Sequence, residues 1–305
     1  MWSSKVADMS FLDVPGARLY YETRGSGPLL FMIGSPMDST GFAPLAEIMA
    51  ATHSVVTYDP RGIGNSTRED DEEDITPALQ ADDVHQLIGA LGGGPVDYLG
   101  SSGGAVVGLA LVQAHPDVLR TLVAHEPPVI EQLPDSREQR AAIQAIYDAY
   151  TTDGWQQAMQ MFLTHIGVAG GGDGGVPQWE PTPEQLARME ETNKVFFGHL
   201  IRQTTAFRPD VEALKAAQTR ILVGVGATSK GQLAHRTGLA LAEKLGVDPV
   251  VFPGGWAPRR WRFHIAGHDR STLSIMAERI RVRELDDEEG ALPGSPWVKV
   301  CRWPG

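Results

Sequence analysis

The chain has 305 residues, 42% hydrophobic and 21% charged, with a net charge of −12. The hydrophobic share supplies a substantial core, and the acidic balance argues against nucleic acid and anionic membrane as partners, because both require a basic footprint. A single cysteine, Cys301, excludes an internal disulfide. The N-terminal stretch has no apolar signal segment and no apolar run approaches the ~20 residues of a membrane span. These features predict a cytoplasmic protein whose partner is a small-molecule substrate.

Short apolar runs alternate with helical patterns along most of the chain. Ala17–Thr23 reads as a strand, followed by a Gly25-Ser26-Gly27-Pro28 turn. Leu29–Ile33 is a continuous apolar run, the signature of a strand buried on both faces. Ala43–Ala51 reads as a helix and Ser54–Tyr58 as a strand. Ala78–Leu91 carries a helical stripe at 84, 87, 88 and 91. Val96–Leu99 is a strand, Ala105–Ala114 a helix, and Thr121–Ala124 a strand. Strands at Ile221–Val225 and Val250–Phe252 complete the series. This alternation predicts an α/β fold: a mostly parallel, twisted sheet with helices on both faces.

Residues 129–209 break the rhythm with three helical patterns, 137–150, 155–166 and 183–207, divided by a glycine loop at 170–175. They read as a helical lid inserted between two strands. The organisation expected is therefore a core of 1–128 and 210–290, a lid of 129–209, and an irregular tail of 291–305. Met161, Phe162, Phe196, Phe197 and Phe207 are the lid residues placed to line an apolar pocket.

The chemistry concentrates at Gly100-Ser101-Ser102-Gly103-Gly104, which fits G-x-S-x-G. A predicted strand precedes it and a predicted helix follows. That is the setting of a nucleophile elbow, a strained turn that lifts a serine hydroxyl above the sheet and needs small neighbours. Neither G-x-G-x-x-G nor G-x-x-x-x-G-K-[ST] occurs, so the same frame does not read as a phosphate site.

With these residues in view, the chain resembles the α/β-hydrolase family of serine esterases, haloperoxidase-like enzymes and related hydrolases. Ile33-Gly34-Ser35-Pro36 resembles the family's H-G-x-P segment, with Ile33 in place of the histidine. Asp59-Pro60-Arg61-Gly62-Ile63-Gly64-Asn65-Ser66 resembles its D-x-R-G-x-G-x-S loop, and Leu122–Pro128 the strand leading into the lid. The resemblance implies the α/β-hydrolase fold, Ser102 as nucleophile, and an oxyanion hole from the backbone N–H groups of Ser35 and Gly103. It implies no cofactor and no metal.

A serine nucleophile needs a base, and the base an orienting acid, in chain order Ser, acid, His. The turn where the family usually carries its acid, Gly226-Ala227-Thr228-Ser229-Lys230, has no carboxylate. Some relatives carry it one strand earlier, which selects Glu126. The base is expected soon after the last strand, where Gly255-Trp256-Ala257-Pro258-Arg259-Arg260-Trp261-Arg262-Phe263 departs from the family. The last 50 residues hold four of the seven tryptophans. In a frame shifted by one base, the codons of 256–263 permit Gly-His-His-Gly-Gly-Gly-Gly-Phe, close to the family's pattern. Two readings therefore stay open: a tail replaced by a frame shift near residue 255, or a native tail in which His268 is the base and His264 the fallback. His53, His115, His125 and His199 precede the last strand and read as structural.

The expected reaction is hydrolysis of a small ester-like or other acyl substrate through an acyl-enzyme. A serine at the elbow disfavours epoxide hydrolases and haloalkane dehalogenases, whose elbow residue is Asp. Two alternatives remain: a cofactor-free perhydrolase or haloperoxidase-like activity, and an impaired homologue that acts as a binding protein.

Overall fold

The computed structural model describes residues 7–168 and 182–252. The glycine loop at 170–175, His264, His268 and the tail from 291 lie outside these residues. Nine described strands form one sheet: β1 (Asp8–Val14), β2 (Ala17–Gly25), β3 (Leu29–Ser35), β4 (Ser54–Tyr58), β5 (Thr67–Arg68), β6 (Val96–Ser102), β7 (Leu119–His125), β8 (Arg220–Gly226) and β9 (Val250–Phe252). Their spatial order is β1-β2-β4-β3-β6-β7-β8-β9, with β5 paired to β2. Pairings among β1, β2, β4 and β5 are antiparallel where β2 takes part, and all others are parallel. The sheet is the mostly parallel one that the sequence predicts.

The hydrophobic runs explain this order. In β3, Leu30, Phe31, Met32 and Ile33 are consecutive and all buried. Successive strand residues face opposite sides, so both faces of the sheet must be covered. The cover comes from α1 (Ala43–Met49), α2 (Pro77–Ala90), α3 (Gly103–Ala114) and α9 (Leu233–Leu245). Helix α2 starts where Thr76 accepts the N–H of Leu79 and Pro77 occupies the first turn, both strong start signals. Helix α3 is buried along Gly103–Val112 and lies close to the sheet. Gly108 permits that approach, since a Cβ there would meet Leu122 Cδ1 at 2.6 Å and Tyr98 Cε1 at 2.8 Å.

Between β7 and β8 the chain is helical: α4 (Ser136–Asp153), α5 (Trp155–His165), α6 (Pro183–Val195), α7 (Ile201–Thr205) and α8 (Val211–Ala216). A π-helical turn, Phe196–Leu200, joins α6 to α7. Helices α4 to α7 enclose a second apolar cluster that includes Ile143, Ile146, Phe196, Phe197, Leu200 and Ile201. The nearly buried carboxylate of Glu131 ties this insert to its return segment, accepting from Arg140 at 2.6 Å and pairing with Arg208 at 3.0 Å. Among the described residues no helix is long and apolar enough to cross a membrane.

Candidate active site

Ser102 ends β6 with φ 53° and ψ −122°, a conformation that non-glycine residues rarely adopt. The surrounding backbone leaves no room for side chains. A Cβ on Gly100 would lie 2.4 Å from the Gly104 carbonyl oxygen, and one on Gly104 would lie 2.1 Å from that of Ile33. A Cβ on Gly103 would meet the Ser35 carbonyl oxygen at 2.5 Å. The Tyr98 hydroxyl donates to the Gly104 carbonyl at 2.8 Å and fastens the helix start to the strand behind it. Strand, strained serine and helix N-terminus thus follow within a few residues, as the G-x-S-x-G pattern demands.

Ser35 faces Ser102 in the parallel β3–β6 register. Its hydroxyl donates to Gln80 Oε1 at 3.1 Å, and Gln80 is fully buried on α2. Ser35, Pro36, Ser102 and Gly103 form the polar end of a cleft of about 660 Å³, part of it continuous with solvent. Its walls come from the helical insert and from α9: Ile143, Phe162, Ile166, Phe196, Leu200, Ile201 and Leu233, with Thr204, Thr205 and Gln232. Among the described lining residues none is ionisable, and none is a histidine. Of the five side chains expected to line a pocket, Phe162 and Phe196 do. Phe197 is buried within the insert, Met161 packs on the same cluster, and Phe207 packs on the main core cluster.

Glu126 follows β7 immediately, with φ 49° and no exposure to solvent. Its N–H donates to the Gly224 carbonyl at 2.9 Å. Oε1 accepts the N–H of Gly226 at 2.9 Å and the hydroxyl of Ser229. Oε2 is buried and has no partner among the described residues. The turn after β8, which lacks a carboxylate of its own, therefore supplies two donors to the carboxylate from β7. Sequence reading missed Ser229 and Gln80 because each acts across more than 40 residues of chain, and no local pattern marks them.

The loop after β4 is folded around Asp59. Its Oδ1 accepts the Ser39 N–H at 2.7 Å, and its Oδ2 accepts the Asn65 N–H at 2.8 Å. Gly64, at φ 60°, leaves space for that carboxylate, since a Cβ there would sit 2.4 Å from Oδ2. Arg61 and Asp83 make a buried two-point ion pair at 2.9 and 2.6 Å that fastens this loop to α2.

The four histidines read as structural do not line the cleft. His115 stacks on His85 at 3.7 Å and meets Asp82. His53 meets Thr52, and His199 faces Asp74 at 3.6 Å. His125 meets the hydroxyl of Ser101 at 3.0 Å.

Residues 27–199 match the family model for the alpha/beta hydrolase fold. The chain is 30% identical over 249 residues to the uncharacterized hydrolase YraK of Bacillus subtilis, covering 80% of this chain and 87% of that one. Solved structures share the fold. An alpha/beta hydrolase from Sphaerobacter thermophilus aligns with a TM-score of 0.59 and 24% identity, over 79% of this chain and 91% of its own. A putative epoxide hydrolase from Pseudomonas aeruginosa aligns at 0.64 and 18%, over 91% and 97%. The chain belongs to the α/β-hydrolase family. It is an enzyme of the hydrolase class.

Proposed function

We propose that this chain is a serine hydrolase that cleaves small, neutral, apolar esters through an acyl-enzyme at Ser102. The observation that carries the reading is the strained backbone of Ser102 at one end of a mostly apolar cleft. Strain of this kind costs ~1–3 kcal/mol and persists where the surroundings over-determine it, commonly at active sites. An aspartate at the elbow would argue for epoxide opening; a serine argues for acyl transfer.

In this reading the Ser102 hydroxyl attacks the ester carbonyl as its proton passes to a histidine. The tetrahedral oxyanion forms between the N–H groups of Ser35 and Gly103. Collapse expels the alcohol, which takes up the proton. Water then repeats the sequence and releases the acid. Each oxyanion donor is worth roughly 3–4 kcal/mol to such a transition state. Glu126 is the acid that orients the base. Its buried Oε2, which has no partner among the described residues, supports this role, because an orphaned carboxylate oxygen calls for a donor. The base comes from the residues beyond 252, with His268 as the candidate in the chain as written. The helices between β7 and β8 act as a lid that sets the apolar pocket.

The lining, uncharged among the described residues, sets the expected specificity. p-Nitrophenyl butyrate should be hydrolysed at least tenfold faster, in kcat/KM, than the p-nitrophenyl hemiester of succinate, because a carboxylate would be buried without a partner. Equal rates for the two esters would contradict the neutral-substrate reading. Turnover that persists at the wild-type rate in Ser102→Ala would contradict the nucleophile itself.

A further inference from the structure

Two non-glycine residues have a positive φ among the described residues: Ser102 at 53° and Glu126 at 49°. Each follows directly on one member of a buried polar pair. Ser101 precedes Ser102, His125 precedes Glu126, and the two are register partners on the last rung of the β6–β7 ladder. Their side chains meet, Ser101 Oγ to His125 Nδ1, at 3.0 Å. Both are buried, at 2% and 6% exposure.

We propose that the Ser101–His125 hydrogen bond is a positioning clamp that holds the Ser102 elbow and the Glu126 turn at a fixed separation. The clamp touches no substrate. It rests on the reading of Ser102 as nucleophile and Glu126 as acid, and adds to it the residues that keep the two in alignment.

The neighbours show why the imidazole stays in place. Its ring packs edge-to-face on Phe252 at 5.2 Å. Gly224 on β8 makes room for both rings: a Cβ there would lie 2.6 Å from Phe252 Cε2 and 3.1 Å from His125 Cδ2. The Gly224 carbonyl in turn receives the Glu126 N–H at 2.9 Å. Burial lowers the pKa of His125 and keeps the ring neutral, against a smaller opposing effect of the Glu126 charge. A neutral ring keeps one donor and one acceptor, and the Ser101 hydroxyl complements either. Apolar side chains would fill the same space but leave the two turns held by backbone pairing alone. Hydrogen bonds are directional, and small misplacements of reacting groups cost large factors in rate.

The test compares wild type, Ser101→Ala, His125→Phe, the double variant and His125→Asn in the full chain. Readouts are kcat and KM on p-nitrophenyl butyrate and the rate of fluorophosphonate labelling, with melting temperatures to confirm folding. Both single variants should lose about tenfold in kcat and in labelling rate, the equivalent of one net hydrogen bond. KM should stay within about twofold. The double variant should be no worse than either single one. His125→Asn, whose amide reaches the position of Nδ1, should restore most of the loss. Ser101→Ala removes only a hydroxyl and decides the matter if His125→Phe does not fold. A folded Ser101→Ala protein with wild-type kcat overturns the clamp alone, as does a loss that appears in KM instead of kcat. Wild-type protein that is not labelled, or labelling that survives Ser102→Ala, overturns the nucleophile reading and the clamp with it.

Discussion

Glu126 combines complete burial, a left-handed backbone and a carboxylate oxygen with no described partner. A structural glutamate would have both oxygens satisfied, because an unpaired buried oxygen costs about 1–3 kcal/mol. Glu126→Gln keeps Oε1 and its two donors but exchanges the free oxygen for an NH₂ group, which cannot orient a histidine in the same tautomer. It should fold normally and lose roughly 10³–10⁴-fold in kcat, measured against the same ester. A loss under about tenfold would reduce Glu126 to a hinge residue. At the elbow, Gly104→Ala places a Cβ 2.1 Å from the Ile33 carbonyl oxygen. Relief requires the first turn of α3 to move away from the β3 backbone, so the variant should lose about 3 kcal/mol or fail to fold, as read by chemical denaturation. Both glycine and serine positions were legible in the sequence, because the elbow is a local pattern of five residues. Glu126 was singled out only through the family resemblance, since its donors, Gly226 at the end of β8 and Ser229 in the turn after it, lie about 100 residues away.

The loop after β4 shows what a motif is for at the level of an element. Asp59 is its hub, and Arg61 carries it to Asp83 on α2. Arg61→Ala leaves a buried carboxylate unpaired and should cost about 3–5 kcal/mol, visible as a lower denaturation midpoint with an unchanged slope. Arg61→Met with Asp83→Leu should recover much of it, because an apolar pair replaces a buried ion pair at little net cost. The insert shows the limit of periodicity. Residues 183–207 read as one helix, yet the chain forms a π-helical turn at Phe196–Leu200. The buried positions 196–197, 200–201 and 204–205 recur every four residues, and a spacing of four fits an α-helix nearly as well as the wider turn. That extra residue turns Phe196, Leu200, Ile201, Thr204 and Thr205 together toward the cleft. Strands with continuous apolar runs were the easiest elements to read. Strand β1 was not read, because it lies at the sheet's edge, leaves Met9 and Phe11 exposed, and offers no buried stripe.

At the scale of the molecule, the family and the mostly parallel sheet were legible because several motifs fall in one order along the chain. The stretch after the last strand lacks the family's histidine motif, so the choice of His268 rests on position alone. Stability should carry the signature of the buried imidazole. His125 has a lowered pKa in the folded state, so the unfolded chain binds the extra proton once pH falls below about 6.5. The stability contributed by a neutral His125 is present above that pH and is lost progressively as pH falls below it. Chemical denaturation of wild type and His125→Phe on both sides of that pH should show a steeper loss in the wild type. Parallel curves would mean that His125 is not held neutral.

The central claim is an activated serine at residue 102, and it is tested most directly by covalent labelling. Folded wild-type protein treated with a fluorophosphonate should gain one adduct per chain, located on the peptide that contains Ser102, and Ser102→Ala should gain none. Adducts on another residue, or none on folded wild type, would contradict the account.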